Sequence, residues 1–249
     1  MSVRLGPRDM WALLWVAQMG GVPVDVLGEL LAAWPGSRSN RVRPGSSEVN
    51  AYRVAQRWRE AGRTIEENLR PVPGPYWVVV EKDTASALLG FRVPEYLPSP
   101  MLAAHTKALA RLRLHLAAGK SEDTWISERV LRHRNGFQTR PGESMPHLHD
   151  AHWTDDLGHL HAIEVELTRK GSAEARAMLQ AAYDAAAEVG ATQLIYYCGS
   201  EEVRTRVRSA GEHLKYHDGG PEVRARNASH ILFRPESGVV LSAAGGAAS

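Results

Sequence analysis

The chain has 249 residues, 43% hydrophobic and 23% charged, the makeup of a globular protein with length for two ordinary domains rather than of a disordered or fibrous chain. No apolar run approaches the roughly 20 residues that cross a bilayer, and the first nine residues lack the apolar stretch of a signal peptide, so a cytoplasmic protein with no membrane partner is expected. The net charge of +2 says little by itself, and the single cysteine excludes a disulfide framework and a thiolate metal cluster.

In chain order, Pro7 opens a first helix with Met10, Leu13, Leu14 and Ala17 at helical spacing, ended by Gly20-Gly21. A second helical stretch follows Val22-Pro23, carries Val26, Leu27, Leu30 and Leu31, and stops at Trp34-Pro35-Gly36. Ser46 or Ser47 can cap a third helix running to Ala61, with Val49, Ala51, Ala55 and Trp58 turned inward and Asn50, Arg53, Gln56 and Arg57 turned outward. Seven arginines (38, 41, 43, 53, 57, 59, 63) stand between positions 38 and 63 against Glu48 and Glu60. The guanidinium fork suits phosphate and guanine edges, so Arg41, Arg43, Asn50, Arg53, Gln56 and Arg57 are the candidate DNA contacts; the plainer alternative is a solvated face. After a proline-rich stretch, residues 76–81 read as a strand and 83–89 as a short helix. Three helices, the third basic, and following strands are the parts of a winged helix-turn-helix, assigned to residues 1–92, although such small helical domains also serve as protein-interaction modules.

Residues 93–100, with three prolines, read as a linker to a second domain over 101–236, followed by a Gly/Ala/Ser tail at 237–249. The second domain reads as a helix over 101–118, strands over 124–131, 147–153 and 159–168, a helix over 172–189, a buried strand over 193–197, a helix over 201–214 and a last strand over 230–233. Cys198, beside an apolar run, reads as a buried inert thiol, and Tyr183 on the alanine-rich helix as packing.

Acidic residues mark these strands: Glu128 in the first, Asp150 in the second, Glu164 and Glu166 in the third. Residues two apart share a strand face, so Glu164 and Glu166 project together while Ile163, Val165 and Leu167 face the core. Clustered carboxylates are costly without a cation, and hard oxygen donors suit Mg2+ or Mn2+; they can instead solvate a sheet face or pair with arginines. The site depends on register. A four-residue turn at 155–158 pairs Thr154 with His159 and turns Asp150 away from Glu164, whereas a loop of five residues (155–159), or a bulge, brings them together. The wider loop or bulge is expected, because it joins three carboxylates and still buries Ile163, Val165 and Leu167.

This order of elements, with His149-Asp150 at the second strand and Glu164-Val165-Glu166 in the third, resembles the PD-(D/E)XK nuclease fold, an α-β-β-β-α-β arrangement. The resemblance implies metal binding by Asp150 and Glu164, with Glu128 as a further candidate ligand, and a catalytic set of Asp150, Glu164, Glu166 and Lys170. Glu166 occupies the place of the motif's lysine, and Lys170 can supply that charge if the strand end curls back. With His105-Thr106, residues 125–128, 147–151 and 162–170, the chain is also similar to the replication-relaxation family of plasmid and mobile-element proteins. That implies a mixed α/β chain acting on double-stranded DNA in replication, relaxation or processing, with a homodimer and plasmid replication or transfer proteins as candidate partners. The alternative is a non-enzymatic DNA-binding regulator or replication accessory on an inactive nuclease fold. A third reading, a zinc-dependent hydrolase, starts from His147, His149, His152, His159 and His161. There is no phosphate-binding glycine loop, dinucleotide fingerprint or nucleophile elbow.

Overall fold

The computed structural model describes residues 4–36, 46–117, 120, 122–136 and 146–233. Among these the chain is mixed α/β, with nine α-helices, a two-stranded sheet and a five-stranded mixed sheet. Arg41, Arg43 and the tail 237–249 lie outside the described residues.

Helix α1 (Pro7–Met19) begins where Asp9 Oδ2 accepts the Gly6 amide at 2.9 Å, and ends at Gly20 with φ of 85°. A side chain at Gly20 would also strike the ring of Tyr96 at 3.0 Å, so both conformation and space demand glycine there. The next residues form strand β1 (Gly21–Pro23) before α2 (Val24–Ala32), where the sequence reading ran directly into a helix. Helix α3 (Ser46–Glu60) buries Ala51, Val54, Ala55 and Trp58. Strand β2 (Trp77–Val79) pairs antiparallel with β1, and Thr64 bridges to Val80. In α4 (Lys82–Leu89) the Glu81 carboxylate accepts the amides of Asp83 and Thr84, both at 2.9 Å.

Helix α5 (Pro100–Ala117) crosses to the large sheet, whose order is β3 (Trp125–Ser127), β4 (Ala151–Thr154), β5 (Leu160–Glu166), β6 (Gln193–Cys198) and β7 (Glu222–Asn227). The first three are antiparallel, and β5, β6 and β7 are parallel. The expected first strand is cut short: only Trp125–Ser127 pair, and Glu128 opens α6 (Glu128–Arg134). The second strand starts at Ala151 rather than at 147. Helices α7 (Ser172–Glu188) and α8 (Glu201–Gly211) lie where expected. Strand β7 went unforeseen, and the expected strand over 230–233 is instead a short helix, α9 (Ser229–Leu232).

The pleat of β5 and β6 separates two cores. Ile163, Val165, Ile195 and Tyr197 face α5, α9 and the N-terminal elements, forming one cluster that also holds Leu13, Val22, Leu27, Trp58, Leu109 and Leu112. Ala162, Leu194, Tyr196 and Cys198 face α7 and α8, with Leu179, Tyr183, Val203 and Val207. The expected linker at 93–100 therefore does not interrupt the packing, because α5 belongs to both sides of it. Its polar residues are committed too: Asp25 of α2 takes Lys107 at 2.9 Å and Arg111 at 3.1 Å, and Arg113 lies over the Trp15 ring at 4.5 Å.

Candidate active site

The β4–β5 connection runs from Asp155 to His159, five residues, so that Ala151 pairs with Ile163, His152 with Ala162 and Thr154 with Leu160. Carried one step back, that register sets Asp150 beside Glu164, as the wider loop requires. The loop is held by its first residue. Asp155 Oδ1 accepts the amides of Leu157 and His159, each at 2.9 Å, and Oδ2 faces the rings of His161 at 3.1 Å and His159 at 3.3 Å. Against desolvation, these donors hold the Asp155 carboxyl far below the usual range.

At the other end of the hairpin, Asp150 Oδ2 accepts the Val165 amide at 2.7 Å and His105 Nε2–H at 3.1 Å. The same His105 nitrogen meets the Val165 carbonyl oxygen at 3.1 Å, and two acceptors require that Nε2 carry the proton. Burial opposes charge on His105, but the bond to Asp150, that carboxylate's charge and the carbonyl outweigh it and lift the imidazole to about 9. Glu164 Oε1 lies 2.7 Å from His147 Nε2. Burial, then the charge of Asp150, pushes Glu164 up to about 7 even with His147 and His105 nearby. His147 is in turn raised, its bond to Glu164 overcoming burial.

Glu166 completes the row, pairing with Lys170 Nζ, which folds back beside the strand end. A cavity of about 270 Å3 at the carboxyl ends of β5 and β6 is lined by His105, His147, Asp150, Glu164, Glu166 and Lys170. Its apolar floor is Leu179 of α7, Tyr196 of β6 and Val203 and Val207 of α8. Burial first, then Glu164 and Asp150, keeps Tyr196 a neutral phenol. In an open α/β sheet this end of the parallel strands, between the starts of two crossover helices, is where ligands bind.

Glu128 does not join. It sits at the first position of α6, 44% exposed, with its carboxylate on Arg132, outside this cavity. The five histidines do not converge either. His149 Nε2–H donates to the Ala182 carbonyl at 3.0 Å and its Nδ1 receives His152 Nε2–H at 3.2 Å, while His159 and His161 serve Asp155. Burial pulls both His149 and His152 down to about 4, so they are neutral, satisfied core residues. Donor atoms of His147, His149 and Glu164 lie within 4.8 Å of one another, but His149 has both nitrogens engaged and is only 2% exposed. That leaves His147 and Glu164 with donor atoms close together, and Asp150 near enough that its charge helps to push the Glu164 carboxyl upward, an imbalance that a divalent ion would relieve.

On α3, Asn50, Arg53 and Gln56 are exposed as expected, and Arg53 has no hydrogen bond or ion pair among the described residues. Arg57 is tied inward. It pairs with Asp9, which also accepts Trp58 Nε1–H at 3.0 Å, so its guanidinium clamps α3 to the start of α1. Tyr52 and Tyr76 make an edge contact at 5.3 Å beside Arg59 on the same surface.

Comparison of the chain with protein-family models, with curated proteins and with solved structures finds no match. The site's meaning therefore rests on its own geometry. Sequence reasoning gave His105 no role, treated His147 as one of a zinc cluster and passed over Tyr196. Cys198 is fully buried and its thiol is pushed up to about 12 by burial, an inert packing residue. Tyr183 is buried as well, its hydroxyl accepting the His217 amide at 3.0 Å.

Proposed function

We propose that this chain is a divalent-metal-dependent phosphodiesterase acting on DNA, with its site in the cavity at the ends of β5 and β6. One observation carries the reading: Asp150, Glu164 and the Glu166–Lys170 pair line a single cavity, in the register that the PD-(D/E)XK resemblance requires. Asp150 and Glu164, with His147 beside them, would hold the cation; bound there, Mg2+ or Mn2+ supplies charge for the phosphate and acidifies a water. The imidazole of His147 makes the donor set softer than carboxylates alone and favours Mn2+ over Mg2+. His105 fixes the Asp150 carboxylate, and Lys170 brings a positive charge beside Glu166 where the motif's own lysine is missing. The N-terminal elements support a DNA-binding winged helix: α1, β1, α2, α3 and β2 follow in that order, α3 presents Arg53, and residues 65–76 form the connection before β2. The similarity to replication-relaxation proteins gives the proposed setting, processing or replication of a mobile element.

A second reading has its own observation. Both carboxylates already have histidine partners and Glu166 stands in the lysine position, as in a nuclease fold kept only to position a DNA-binding module. The deciding experiment is nicking of supercoiled plasmid with Mn2+ or Mg2+, alongside calorimetric titration of Mn2+. Cleavage and Mn2+ binding, both lost in Asp150→Asn, support the enzyme; no cleavage and no Mn2+ binding leave the scaffold reading. For the DNA face, Arg53→Ala should lower the salt slope of binding by about one, one phosphate contact. Arg57→Ala should act through stability instead, and an unchanged slope with Arg53→Ala moves the DNA contact off α3.

A further inference from the structure

The cavity has a second wall, supplied by α8. Arg206 lines the same cavity as the carboxylates, half-buried beside Val203 and Val207, and also borders a surface pocket with Arg169 and Glu202. Among the described residues its one hydrogen bond runs from a terminal nitrogen to Ser172 Oγ at 2.5 Å, and its Nε is buried with no partner there. The neighbouring cations are taken: Lys170 pairs with Glu166, Arg169 with Glu202 at 2.7 Å and Arg204 with Glu201. No carboxylate among the described residues pairs with Arg206. A guanidinium held at the edge of a partly apolar cavity has lost water without gaining an anion, and the anion it fits is one with two oxygens in a plane, a phosphate diester or monoester.

We propose that Arg206 forms the phosphate subsite of this cavity, binding the non-bridging oxygens of a phosphodiester whose phosphorus faces Asp150 and Glu164. The inference rests on the phosphodiesterase reading and adds the residue that gives the substrate its orientation. Carboxylates and a bound cation recognise phosphate charge but not direction, whereas a planar fork fixed by Ser172 offers its free donors from one side only. The subsite is also independent of α3, so it serves a short ester that never touches the DNA-binding face.

The test uses the full chain, Arg206→Met, which keeps the apolar stem, and Arg206→Lys, which keeps the charge without the fork. The probes are bis(p-nitrophenyl) phosphate hydrolysed in Mn2+ and thymidine 5′-monophosphate titrated calorimetrically. Arg206→Met should raise KM for the diester and weaken monophosphate binding by about tenfold or more, the loss of one charge-assisted pair, with Mn2+ affinity and the melting temperature unchanged. Arg206→Lys should recover part of the loss. Unchanged KM and unchanged monophosphate binding in Arg206→Met overturn the subsite. Where the wild type hydrolyses no diester, the phosphodiesterase reading falls, and the subsite is then judged on the monophosphate alone: binding lost in Arg206→Met upholds it, while no binding by the wild type, or equal binding by both, overturns it.

Discussion

The two ends of the β4–β5 hairpin use the same residue types to opposite effect. At the closed end Asp155 meets two backbone amides and two imidazoles, and its carboxyl is held far below its ordinary range. At the open end Asp150 and Glu164 also have one histidine each, but they have each other too, and Glu164 is pushed up to about 7. A carboxylate that its surroundings satisfy is a turn device. Glu164, raised by burial and by the charge of Asp150 beside a cavity, carries an imbalance that a cation would relieve, and the contrast shows that the count of partners matters less than the sign of the imbalance.

The sharpest way to break the comparison is to neutralise one aspartate at each end. Asp150→Asn should lower Mn2+-dependent plasmid nicking by about a hundredfold or more, whereas Asp155→Asn should stay within about twofold of wild type. Equal losses would make the open end no more than structural. Next in size is acid sensitivity from His149 and His152, measured as unfolding free energy between pH 7 and pH 4 in EDTA. Both imidazoles are depressed to about 4 in the folded chain. Above pH 6.5 they are neutral folded and unfolded; below it the unfolded chain takes up protons that the folded chain refuses. Stability should therefore fall from about pH 6.5 to pH 4, by up to about 3 kcal/mol per histidine at 1.4 kcal/mol per unit. A slope that His149→Gln with His152→Gln leaves intact would assign it to other groups.

A smaller effect carries the more pointed sign. Because the folded pKa of Glu164 is raised, the carboxylate costs stability progressively as pH climbs from about 4.5 through about 7. In EDTA at pH 8, Glu164→Gln should match or exceed wild-type stability, by about 1 kcal/mol, while abolishing Mn2+ binding. Destabilisation at that pH, with Mn2+ binding retained, would mean that His147 alone satisfies Glu164. Smallest is Asp155→Ala, expected to lower the melting temperature while leaving the Mn2+ isotherm unchanged.

How far the sequence reached follows from which constraints are local. Alternation of Ile163 and Val165 with Glu164 and Glu166 indicated the faces of β5, and bringing Asp150 to the same face as Glu164 selected the five-residue loop, since a slip by one would turn Asp150 to the other face. Glu128 was misplaced because the strand was carried past Ser127, although Ser127 before a Glu128–Arg132 spacing marks a helix start. Strand β7, with Glu222, Arg224 and Arg226 outward, has too few apolar residues to be seen without β6 beside it. Arg57 looked like one more outward arginine until Asp9, 48 positions away, turned out to face it. Arg206 was beyond sequence reasoning, because which face of α8 overlooks the cavity is set by the way the helix crosses the sheet.

Helix α5 has a consequence for how the chain comes apart. The same roughly 27 Å of helix covers one continuous interior that runs from Trp15 and Val22 to Ile163 and Val165. Neither half can open without stripping a surface from the other, so heating should give a single calorimetric peak whose van't Hoff and calorimetric enthalpies agree. Cutting the backbone between residues 93 and 100 would yield fragments that fold by finding one another, since the piece that closes the first half is encoded in the second.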